Sequence, residues 1–89
     1  MRAVVIVVGR DMVGILARAA AICANQNANI IDVTQTVMQD LFSMVMLVDI
    51  SKLNCDFSEL SGIMEQQIGE MGLKAYIMHE DIFNSMHKI

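Results

Sequence analysis

Residues 4–8 read Val-Val-Ile-Val-Val, five β-branched residues in succession, and no other segment constrains the fold as much. β-Branched side chains are stiff about χ1 and suit an extended, pleated backbone. Neither alternate face of this strand is polar, so both must be covered, as in a central strand of a sheet. Gly9-Arg10-Asp11-Met12-Val13-Gly14-Ile15 follows at once, and then the alanine-rich segment Leu16 to Ala24. A buried strand, a glycine turn and a helix N-terminus therefore meet within a few residues. Such a junction points unpaired backbone N–H groups and the positive end of a helix dipole at one spot. A carboxylate or phosphate is welcome there. A plain structural turn satisfies the same spacing.

Periodicity places the remaining elements. The first strand spans Ala3 to Val8. A helix is predicted from Met12 to Gln26, with Asp11 as its N-cap and Asn27 stopping it in the left-handed conformation. Ile15, Ala19, Ile22 and Gln26 share one side, with Leu16, Ala20 and Cys23 beside them. A second strand, Asn29 to Met38, alternates as a half-exposed edge does. Ile31, Val33 and Val37 face one way, Asp32, Thr34 and Thr36 the other, and Gln35 interrupts the apolar row. Gln39-Asp40-Leu41 forms a turn. The third strand, Phe42 to Ile50, is apolar on both faces and hence central. After a loop at Ser51 to Cys55, Asp56 and Glu59 resemble a capping box. Phe57, Leu60, Met64, Ile68 and Met71 then trace a helical stripe that Gly72 ends. A last strand covers Leu73 to Glu80, and Asp81 caps a short helical turn through Met86.

The order is βαββαβ. With strands one and three central, the sheet order is 4-1-3-2, an α+β, ferredoxin-like sandwich with two helices on one face of an antiparallel sheet. Nothing in the pattern covers the other face. At 89 residues and 55% hydrophobic content, that uncovered face predicts self-association, a homodimer or a larger homo-oligomer. A membrane helix is not expected, because the runs Ala3 to Val8 and Met44 to Val48 fall far short of the roughly 20 residues it needs. Nor is a cleavable targeting segment, since the N-terminal run leads directly into the patterned domain. The six basic residues are scattered in a chain of net charge −4, which argues against nucleic acid as a partner. Cys23 and Cys55 read as reduced thiols of a cytoplasmic protein. Neither clusters with His79 or His87, so no metal site is expected, and no cofactor is implied.

The strand Val4 to Val8, Gly9-Arg10-Asp11, Gly14-Ile15 and Asn29-Ile30-Ile31-Asp32 together resemble the ACT domain, a small ferredoxin-like module that senses amino acids. The similarity spans residues 1–89 as one domain, with 81–89 as a helical tail. It is strongest to free-standing single-domain members similar to the glycine-cleavage-system repressor-like proteins. The resemblance implies a non-catalytic regulatory module with a small amino acid bound at a domain interface. The backbone of Arg10, Asp11, Met12, Val13, Gly14 and Ile15 would receive the ligand carboxylate. Asn29 or Asp32, from the same or a neighbouring subunit, would engage its ammonium group. Output would pass through oligomeric state or a separate partner protein.

Each of these residues has a structural reading too. Asp11 serves as a cap, Gly9 and Gly14 serve turn geometry and packing, Asn29 enters a strand, and Asp32 is solvated. A ligand-free scaffold with the same fold is the main rival function. An acylphosphatase-like enzyme shares the element order, but its first loop must be cationic, and here that loop carries Asp11. The nine methionines read mostly as adaptable core filler.

Overall fold

The computed structural model describes residues 1–10 and 14–86. The chain runs β1 (Arg2–Gly9), α1 (Ile15–Asn25), β2 (Asn29–Met38), β3 (Leu41–Asp49), α2 (Phe57–Gly69), β4 (Lys74–His79) and α3 (Glu80–Met86). All sheet pairs are antiparallel in the order β2-β3-β1-β4, the ferredoxin-like arrangement that the sequence predicts. β1 pairs with β3 from Arg2↔Asp49 to Gly9↔Phe42, and with β4 from Ala3↔His79 to Val8↔Lys74. Alternate residues of the central strands, among them Ala3, Val5, Val7, Met44, Met46 and Val48, are wholly buried. They meet Ile15, Ala19 and Ile22 of α1 and Leu60, Met64 and Ile68 of α2 in one core. No polar or charged residue is buried among the described residues.

Both core helices end in the same way. After α1, the N–H of Ala28 donates to the carbonyl of Cys23 at 2.8 Å and that of Asn27 to Ala24 at 3.2 Å. After α2, Leu73 and Gly72 donate to Ile68 and Gly69 at 3.4 and 3.0 Å. This is the Schellman pattern around a left-handed residue, with Asn27 at φ 61 and Gly72 at φ 80. Each crossover is thereby stopped and turned back into the sheet.

Several boundaries differ from expectation, each for a local reason. α1 begins at Ile15 rather than Met12, because Gly14 sits at φ 77 and a left-handed residue cannot continue a right-handed helix. The expected cap Asp11 lies outside the described residues. The capping box at Asp56 does not form. The N–H of Glu59, its would-be donor, already bonds the Asp56 main-chain carbonyl at 3.0 Å. Leu41 belongs to β3, paired with Met38. The hairpin turn is thus Gln39-Asp40 alone, with Gln39 at φ 56, the positive φ that suits tight turns between twisted strands. β3 ends at Asp49 and β4 starts at Lys74. Asp81 falls inside the first turn of α3, which opens at Glu80.

The largest difference lies in β2. Its register to β3 jumps between Ile30 and Asp32, a bulge that inserts Ile31 and inverts the alternation across it. Ile30 and Val33 therefore pack against the core, not Ile31 and Val33, and Ile31 is left 46% exposed. Gln35, opposite the buried Met44, donates from Nε2 to its sulfur at 3.9 Å.

Gly9 closes the core end of β1. A Cβ built there would overlap Cδ2 of Leu73 and stand 3.1 Å from its Cγ, and Leu73 is itself buried. Gly9→Ala is expected to force Leu73 off its rotamer and cost about 1–3 kcal/mol. Leu73→Ala opens a cavity of its own but removes the clash, so the double variant should lose less than the sum of the two single variants in urea-unfolding measurements. Unchanged stability of the single variant would refute the contact.

Candidate functional site

At the C-terminal end of β1, the chain leaves the sheet at Gly9 and enters α1 at Gly14. The first backbone bond of α1 runs from the Arg18 N–H to the Gly14 carbonyl at 2.9 Å. The N–H groups of Ile15, Leu16 and Ala17 precede it in the first turn, where an α-helix offers them no partner of its own. Among the described residues no side-chain hydrogen bond caps this end, and its first turn holds no acidic residue. A positive helix end is thus left uncompensated by the described residues, which suits an anion. No described atom lies within 4 Å of where a Gly14 Cβ would stand. Gly14 is demanded by its backbone angle, and the space beside it is open.

The β2–β3 hairpin and the α2–β4 turn share this end of the molecule. Arg10 Nε lies 3.7 Å from Asp40 Oδ2, with both side chains mostly exposed, so the pair contributes little stability and leaves the guanidinium accessible. A 430 Å³ cleft opens beside it between Leu41 and the Met71–Lys74 turn. A second hollow of 460 Å³, lined by Thr36, Met38 and Phe42 among others, adjoins it on the sheet face that carries no core helix.

The sequence-predicted site residues divide into two groups. Arg10, Gly14 and Ile15 stand at the hairpin end; Asp11, Met12 and Val13 lie outside the described residues. Asn29 and Asp32 do not join them. Asn29 pairs with Asp49 and Gly9 with Phe42, seven residues apart along β3, or roughly 23 Å at about 3.3 Å per residue. Asp32, opposite Leu47, stands roughly 17 Å from that end on the same rise. Within one chain, the carboxylate-receiving loop and the expected ammonium acceptors are at opposite ends of the sheet. Asp32 also acts locally, since its Oδ1 accepts the Val33 N–H at 2.9 Å just beyond the bulge.

Asn29 instead lines a polar groove of 310 Å³ with Asn27, Asp49, Ser51 and Lys52. Asp49 holds its carboxyl below the usual carboxylate range, first because the Ser51 N–H bonds it. Asn27 donates to the Lys52 carbonyl at 2.7 Å and Asn54 to that of Asn25 at 3.0 Å, tying the loop before α2 to the end of α1. Sequence reasoning missed this groove, because its partners are far apart in the chain. It also missed the Arg2–Glu80 pair at 2.6 Å, which clasps α3 to the start of β1. Burial pushes the Cys23 thiol up to about 11, and the half-buried Cys55 is raised by the same cause, so both favour the protonated thiol over the reactive thiolate. No group of three potential metal ligands occurs among the described residues, and no described helix is long and apolar enough to cross a membrane.

The sheet face opposite the core helices is apolar. The registers place Val4, Ile6 and Val8 there with Val45, Leu47, Tyr76 and Met78. Val4, between Leu47 and Met78, is buried, and α3 packs against β1 and β4 at that end. Ile6, Val8, Val45 and Leu47 are half-buried and Tyr76 is 49% exposed.

The ACT domain model matches residues 2–77. A UPF0237 protein of Methanococcus maripaludis is 50% identical over 86 residues, which is 97% of this chain and 96% of that protein. An ACT domain protein from Streptococcus pneumoniae superposes with a TM-score of 0.81 at 34% identity, over 93% of each chain. A chain described as a glycine cleavage system transcriptional repressor has a TM-score of 0.73 at 21% identity, covering 86% of this chain and 44% of its own; at that identity the likeness is one of fold.

The Gly14 geometry has a direct test. Gly14→Ala is expected to destabilise the chain by about 1–2 kcal/mol, the cost of a left-handed backbone for a residue with a Cβ. Gly14→Asn should recover most of it, since asparagine tolerates that conformation and the space is open. An Asn variant less stable than the Ala variant in thermal unfolding would mean that crowding, and not φ, selects glycine.

Proposed function

Since the chain belongs to the ACT domain family, we propose that it is a non-catalytic regulatory module that binds a small amino acid at an interface between copies of itself. ACT domains are regulatory modules that bind amino acids. The observation that carries the reading is the N-terminus of α1 behind the left-handed Gly14, which no described side chain caps. Its first-turn N–H groups suit the ligand carboxylate, and Arg10 stands near enough in the chain to clamp it. Asp11, Met12 and Val13 complete this loop in the proposal. The ammonium group needs an acceptor that the same end of the molecule does not supply from β2. In this reading Asn29 or Asp32 of a second copy supplies it, because their own chain holds them roughly 17–23 Å away along the sheet.

Two further features support assembly. The apolar face at Ile6, Val45, Leu47 and Tyr76 is of the kind that subunits cover, and β2 is a long edge strand whose sole charge is Asp32. The module signals through its oligomeric state or through a partner protein. Binding counts as a signal only if the ligand favours one arrangement over another. The second reading, a scaffold that assembles without ligand, draws on the same apolar face, which needs no ligand to explain it.

A thermal-unfolding screen against the common amino acids separates the two. A ligand at 100 times its dissociation constant stabilises the folded state by about 2.7 kcal/mol. The sensor reading expects one amino acid to raise the midpoint, Gly14→Leu to abolish the rise, and Gly14→Ala, strained but small, to retain it. No rise with any amino acid supports the scaffold. Assembly is read separately by light scattering: the wild-type chain is expected to be a dimer or larger, and Tyr76→Glu to shift it toward monomer with its helical and strand signals intact. A wild-type monomer at all concentrations would refute assembly in both readings.

A further inference from the structure

We propose that the cleft between Leu41 and the α2–β4 turn is a second binding site, one for an apolar carboxylate with a branched aliphatic tail. The cleft measures 430 Å³, within the roughly 300–1,000 Å³ of small-molecule sites. Val8, Leu41, Met71 and Leu73 form its walls, and the charged groups on its rim are Arg10 and Lys74. Two of the six basic residues in a chain of net charge −4 thus share one rim, and among the described residues no acidic side chain lines it. Lys74 makes no ion pair among the described residues. It stands opposite Val8, on the lip where the cleft meets the apolar sheet face. Arg10 is held only at 3.7 Å by an exposed Asp40.

An anionic head therefore finds two cations, whereas the described lining gives an ammonium group no carboxylate, Asp40 standing outside it against Arg10. The tail removes from water the wall made by Leu41, which is 55% exposed, and burial of that apolar surface favours binding. Leu73 is fixed on the far wall by its fit over Gly9, so that wall is preformed. This site does not rest on the amino-acid reading. The two sites share Arg10, but that reading turns on the backbone of α1, whereas this one turns on Lys74 and an apolar wall.

The test is a titration of the full chain, followed by amide NMR and calorimetry, with 4-methylpentanoate, its neutral analogue 4-methylpentanamide, and acetate. The acid is expected to move the amide signals of Gly9, Gly72 and Lys74 along a saturable curve, while the amide and acetate do so weakly or not at all. Lys74 and Leu41 are exposed, so their variants should keep the wild-type spectrum elsewhere. Lys74→Gln and Leu41→Glu should weaken binding by about 10- to 100-fold, and Lys74→Arg should retain it. Lys52→Gln, an exposed cation at the opposite end of the sheet, should leave it unchanged. Absence of saturable binding, equal binding of the amide, or an unaffected Lys74→Gln variant overturns the proposal. Signals that cluster at Gly14 to Arg18 instead of the cleft also overturn it, and would favour an anion at the helix end.

Discussion

The two-sided pairing of β1 is the constraint on which the rest of this structure depends. One strand sets the register of β3 on one flank and β4 on the other. Its alternate residues Ala3, Val5 and Val7 are wholly buried. A slip of one residue would turn that row out of the core and bring Val4 and Ile6 in, so the pairing is held on both sides by packing. From this register follows the location of each loop. Gly9 ends opposite Phe42, which puts the entry to α1 beside the β2–β3 hairpin and the α2–β4 turn. The loops at the other end gather around Asn29 and Asp49.

That division shapes what the molecule can recognise. The helix end at Gly14 and the cations Arg10 and Lys74 lie together, while the acceptors Asp32, Asn29 and Asp49 lie toward the opposite end. A zwitterion needs both kinds of partner within a few ångströms. One chain offers them apart; two chains in a suitable arrangement bring them together. At the hairpin end Asp40 is engaged with Arg10, and the cations and apolar walls there suit a simple anion better. The proposed amino-acid and apolar-carboxylate sites thus follow from one asymmetry of charge along the sheet.

Stability comes from apolar packing almost entirely. The two ion pairs among the described residues are on the surface, and none of the described polar residues is buried. Met44, Met46 and Met64 occupy the core centre without exposure, and their flexible thioethers fill the gap between sheet and helices. The charged groups at each end therefore carry little of the fold, and changing them should alter recognition more than folding. Arg2 is the exception, since its bond to Glu80 secures α3.

Much of this fold is legible in the sequence because its signals are local. The five β-branched residues dictate a buried strand, the Leu60, Met64 and Ile68 spacing dictates a buried helix face, and Asn27 and Gly72 mark left-handed stops. The order of elements then leaves one economical sheet. Gly14 was legible as a turn residue, as was the anion-suited helix start beside it. The bulge at Ile31 was not, because alternation read along one strand cannot reveal how its partner counts residues. The failed capping box at Asp56 was equally hidden, since it turns on which acceptor the Glu59 N–H finds first. The separation of Asn29 and Asp32 from Gly14, and the meeting of Arg10, Leu41 and Lys74 around one cleft, were decided by tertiary structure alone. Local sequence determines which backbone conformation each segment prefers. Only antiparallel pairing across the sheet determines which distant segments share an end.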